Sequence, residues 1–110
     1  MKDYAAMSDA EINASVAKIM FEVNEGIATP YSHRPDAYIY HLNGLHSVKD
    51  YCNNPADAWP IITSSMISIR PVGNDGQLWE AHGMGGMKAD YDKNPLRAAM
   101  VVFLMMKEGE

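Results

Sequence analysis

One cysteine, Cys52, is present among 110 residues. A single thiol excludes an internal disulfide and any cysteine-built zinc cage, in keeping with a reducing compartment. Positive charge is also in short supply. Nine Lys and Arg, scattered along the chain, face fourteen Asp and Glu, for a formal net charge of −5 at pH 7. Such a surface repels phosphate, so sequence-independent binding to nucleic acid by counterion release is disfavoured. The longest apolar run, Ala98 to Met106, has nine residues, far short of the ~20 that span a bilayer. The opening stretch MKDYAAMSDAEIN has one lysine and no apolar segment of the kind a secretory signal needs. The expected location is therefore the cytoplasm in which the chain is made.

What is present is ordinary globular material, 47% hydrophobic and 21% charged, in a length that suits one domain over residues 1–110 with a real core. A first helix is expected from Asp9 to about Phe21. Ser8 and Glu11 form a capping-box pattern, and Ile12, Val16, Ile19 and Met20 make one apolar stripe with Asn13 and Lys18 turned away. Residues 22–36, broken by Gly26, Pro30 and Pro35, read as loop with room for one short strand. Ala37 to Leu42 reads as a strand that stops at Asn43-Gly44, a tight-turn pair, with Leu45 to Val48 as its partner.

The clearest β signal runs from Met66 to Ala81, alternating on both sides of Asn74-Asp75-Gly76. Parity selects the loop length. A three-residue loop opposes Gly73 to Gln77 and puts Ile67, Ile69, Trp79 and Ala81 on one face, whereas a two-residue loop mixes them. HGMGGMK, from His82 to Lys88, lacks the Gly-Lys-Ser/Thr ending of a phosphate loop and reads as a mobile connection.

Two stretches share the pattern Asn-Pro-x-x-Ala, one from Asn54 and one from Asn94. A half-domain duplication would produce this, but the flanking residues do not match. The simpler reading is two helix starts, each with Asn as cap and Pro as first residue. Asp57 then lies in the first turn of the earlier helix, where its charge meets the positive end of the dipole. Pro60 predicts that this helix is bent, very short or restarted at Asp57, ending near Ser64. The later helix is expected to run to about Lys107. It is apolar on nearly every face and must be buried on most sides, by a sheet and a second helix or by another chain. The fold class expected is α+β, one small domain with an antiparallel sheet, a buried C-terminal helix and an N-terminal helix. The surplus apolar surface of the last helix also leaves room for self-association.

Histidines at 33, 41, 46 and 82 show no helical i, i+4 pair, so no metal or other cofactor is expected. Cys52 would need a neighbouring base to act as a nucleophile. Nine methionines suit either core gap-filling or an adaptable interface. Trp79 fits the core, while Trp59, beside prolines and a cap, fits a semi-exposed interface anchor.

Together, CNNPADAWPII from Cys52 and DKNPLRAAMVVFLMMK from Asp92 resemble the hallmark segments of the NinX family of lambdoid bacteriophages and prophages. MSDAEIN from Met7 is similar to that family's opening. The resemblance covers about half of the chain, and Glu22 to Asp50 departs from the family pattern and carries extra residues. It implies a small accessory protein, encoded between replication and late antitermination functions and expressed inside the bacterium. It carries over no activity, cofactor or catalytic residue. It marks Asn54, Asp57, Trp59 and Arg97 as the places to look for binding.

Three functions follow as expectations. The preferred one is a non-enzymatic protein that binds a host or phage protein. The second is a small enzyme or ligand binder with a pocket formed by Cys52, Asp57, Trp59 and a histidine. The third, a nucleic-acid binder, rests only on the gene neighbourhood that the resemblance implies. The acidic charge predicts that the purified chain fails to retain duplex DNA at ~150 mM salt in a filter-binding assay; retention there would overturn the exclusion.

Overall fold

Ser8 and Glu11 open the first helix with a reciprocal pair of hydrogen bonds. The Glu11 N–H donates to Ser8 Oγ at 3.1 Å, and the Ser8 N–H donates to Glu11 Oε1 at 2.9 Å. This is the expected capping box. Helix α1 runs Asp9–Met20, after a 3-10 turn at Tyr4–Ala6. A computed structural model describes residues 3–20, 37–41, 44–73, 77–84 and 88–108. They divide into two compact units, Met1–Asp50 and Tyr51–Glu110. The expected loop over residues 22–36 and the helix end at Phe21 lie outside the described residues.

In the N-terminal unit, Ile12 and Val16 are fully buried, but the apolar stripe is not the only buried face. Asn13, expected to point away, is also fully buried. Its Nδ2 donates to Asp50 Oδ1 at 2.9 Å, and this bond offsets the cost of removing an amide from water. Periodicity cannot register a polar residue that is buried with its own partner. Strands β1, Ala37–His41, and β2, Gly44–Val48, pair antiparallel from Ala37↔Val48 to His41↔Gly44, and α1 lies against both. Gly44 is therefore a strand residue rather than half of the turn. The two connecting positions, Leu42 and Asn43, lie outside the described residues.

In the C-terminal unit, helix α2 runs Pro55–Ser64 with Asn54 as its cap and Pro60 inside it. There is no restart at Asp57. Pro60 lacks the N–H that the Ala56 carbonyl would receive, but Ala56 and Pro60 are both exposed, so water can serve that carbonyl. The helix ends in a Schellman motif. The Ile67 N–H donates to the Ile62 carbonyl at 3.0 Å and the Met66 N–H to that of Thr63 at 3.3 Å. Met66 occupies the left-handed position at φ 56°, where glycine is usual.

Strands β3, Ser68–Val72, β4, Leu78–His82, and β5, Ala89–Asp92, form an antiparallel sheet in that order. Ile69 opposes Ala81 and Val72 opposes Leu78, the register that a three-residue loop at residues 74–76 requires. Ile69, Trp79 and Ala81 therefore share a face, with Ala81 fully buried. β5 was not expected from the sequence. It begins directly after the stretch His82–Lys88 that reads as a mobile connection, and the Gly83 N–H donates to the Lys88 carbonyl at 2.8 Å.

Helix α3 runs Pro95–Lys107 with Asn94 as cap. Every residue from Ala98 to Leu104 is buried, because β3, β4 and β5 pack on one side of the helix and α2 on another. The apolar faces of α3 from Ala98 to Leu104 are thus covered within the same unit. Each buried Val, Leu, Met or Phe there contributes about 1.5–3 kcal/mol relative to exposure. A side chain on Gly83 would place its Cβ 3.0 Å from Met106 Sδ and 3.6 Å from Val102 Cγ1. The missing side chain lets the end of β4 lie directly on α3. The fold class is α+β, with the C-terminal helix packed on an antiparallel sheet as expected.

Met66 is 62% exposed, so its side chain contributes little packing, while its left-handed backbone is costly for any residue but glycine. Met66→Gly is expected to raise stability by about 0.5–1 kcal/mol in urea denaturation. A loss of stability would show that the methionine side chain is held by contacts its exposure does not reveal.

Candidate functional site

The two Asn-Pro stretches meet. Asn94 begins as a helix cap: its Oδ1 accepts from the N–H groups of Leu96 at 2.9 Å and Arg97 at 3.3 Å. The other end of the same amide reaches the segment leading into α2. Nδ2 donates to the Cys52 carbonyl at 2.6 Å and to Asn53 Oδ1 at 3.2 Å. One side chain thus starts α3 and fastens the approach to α2 against it. Asn54 is simpler: among the described residues its Oδ1 accepts from the Ala56 N–H alone, at 3.0 Å.

Asp92 holds the clasp from the sheet side. Its Oδ1 accepts from the Asn94 N–H at 2.8 Å, an Asx turn that leads from β5 into α3. Its Oδ2 lies 3.2 Å from Arg97 Nε, and the Arg97 side chain is only 12% exposed. Asp90, two residues back on the same face of β5, is half-buried. Burial and the charge of Asp92 push its carboxyl up to about 6, while Arg97 and the Tyr91 N–H pull the other way. Chemically, the cluster can hold a proton on Asp90 up to about pH 6, well above the usual carboxylate range. Asp92 and Arg97 are engaged with each other.

The sequence-selected residues separate accordingly. Asn54 and Arg97 belong to the helix starts, and Arg97 is a structural ion-pair partner of Asp92. Asp57 lies in the first turn of α2, half-buried, and its charge adds to the burial that raises the hydroxyl pKa of Tyr51. Trp59 stands apart, 60% exposed on the outer side of α2. Cys52 has no exposure at all, so an exposed indole and this thiol do not line one open cleft. Sequence reasoning recognised Asn94 as a cap but missed its second partner and the role of Asp92. The spacing Asp92-x-Asn94-Pro95 carried a signal for the Asx turn; nothing local pointed to Cys52.

The other face of the sheet carries a polar rung across three strands. Arg70, Glu80 and Tyr91 stand opposite one another in register. Arg70 Nε donates to Glu80 Oε1 at 2.6 Å and Tyr91 Oη to Oε2 at 2.7 Å. These two bonds hold the Glu80 carboxyl below its usual range. His82, next along that face, has a buried Nδ1 with no hydrogen-bond partner among the described residues. No group of three or more His, Cys, Asp or Glu fit to hold a metal ion occurs among the described residues.

Clasped helix starts, a sheet-packed C-terminal helix and an outward-facing tryptophan define a small α+β protein. The chain belongs to the family described as Bacteriophage P22, NinX, whose model matches residues 3–107. The match runs through residues 22–50 as well, where the resemblance read from the sequence was weakest. No curated protein and no solved structure matches the chain.

Two predictions follow from the clasp. Asn54→Asp keeps a capping oxygen and is expected to be neutral or slightly stabilising. Asn94→Asp keeps the cap but sets a carboxylate against the Cys52 carbonyl, and is expected to cost about 1–3 kcal/mol in denaturant unfolding. Equal effects at the two positions would mean that Asn94 is a cap and nothing more.

The second concerns pH. A carboxyl whose pKa is raised in the folded state contributes most below its ordinary value near 3.8 and loses that contribution as pH rises through about 6. Asp90→Asn is therefore expected to leave stability unchanged at pH 4. At pH 7 it should raise stability by on the order of 1 kcal/mol, after allowance for partial exposure. An identical gain at both pH values would show that titration of Asp90 is not the cause.

Proposed function

We propose that this phage accessory protein acts by binding another protein, of host or phage, through the outer face of α2. The observation that carries the reading is the exposure of Trp59 in a stretch without charge. From Ala58 to Ile69 no residue is charged, yet Trp59, Pro60, Thr63, Ser64, Met66 and Ser68 are all exposed. Trp59 and Thr63, at i and i+4, share one side of α2, and exposed Met66 follows just past the end of the helix. A surface depleted of charge and carrying Trp and Met has the composition of an interface centre. The Asn94 clasp supports this reading indirectly, because it accounts for the Asn-Pro motifs structurally and leaves Trp59 without a role in the core.

The proposed site of action is the cytoplasm of the bacterial host, with neither cofactor nor nucleic acid required. No helix among the described residues is long and apolar enough to cross a membrane.

The test is affinity purification of the tagged protein from phage-infected and uninfected bacteria, with quantitative mass spectrometry and a Trp59→Ala control. Because Trp59 is exposed, the variant is expected to keep the wild-type circular dichroism spectrum. A specific partner should fall at least about tenfold in recovery with the variant, as expected for an interface hot spot. A specific partner recovered equally by the folded variant, or none recovered by the wild type, would overturn the reading.

A further inference from the structure

We draw no further inference here: the strongest candidate, the exposed and charge-free patch formed by Trp59 and Thr63 of α2 with Met66 just past its end, belongs to the surface already described, and nothing in the structure shows what covers it.

Discussion

The C-terminal unit depends on a constraint carried by one amide. A helix that begins in a crowded place must satisfy its first N–H groups, and Asn94 Oδ1 does so for Leu96 and Arg97. The same group has a donor end, and the fold directs it to the Cys52 carbonyl. An acceptor-only cap such as Asp would satisfy the helix and leave that carbonyl without its donor. The choice of Asn over Asp, Ser or Thr is thus set by what lies on the other side of the side chain. Asp92 completes the arrangement by turning the chain from β5 into α3 and pairing with Arg97.

The clasp matters because of the helix it starts. α3 is apolar on nearly all sides and has to be covered by both a sheet and a helix. Fixing its first turn to the segment before α2 brings α2 and α3 together, while β5, leading into the same turn, brings the sheet. Gly83 completes the fit where β4 ends against Met106 and Val102. At the far end, Lys107 Nζ lies 5.8 Å from the centroid of the Phe103 ring, a cation over an aromatic face that also suits the negative end of the helix dipole.

Polar groups elsewhere follow the same rule of local satisfaction. Glu80, with only 9% of its surface exposed, is held ionised by Arg70 and Tyr91 from the strands on either side. Asn13 is buried with Asp50 as its partner. His82 Nδ1 is the exception among the described residues, and the Trp59 side of α2 is exposed and without charge. The functional reading rests on that contrast between well-paired polar groups and an uncovered tryptophan.

The sequence by itself determined the local features. Ser8 and Glu11, Asn54-Pro55 and Asn94-Pro95 place three helix starts because capping chemistry acts within four residues. Alternation around residues 74–76 places the β3–β4 register because a strand has a period of two. Tertiary structure decided whatever depends on a distant partner. β5 is built from Ala-Asp-Tyr-Asp, a poor strand sequence, and is a strand because β4 pairs with it. Asn13 is buried because Asp50 receives it, and α2 continues through Pro60 because that side of the helix is exposed. The raised pKa of Asp90 and the second role of Asn94 likewise arise from groups brought together by folding. Of the four binding candidates, the sequence could find all as motif residues. Only the fold separates Trp59, which faces solvent, from Arg97, which is bound to Asp92, because exposure and ion pairing belong to the packed chain.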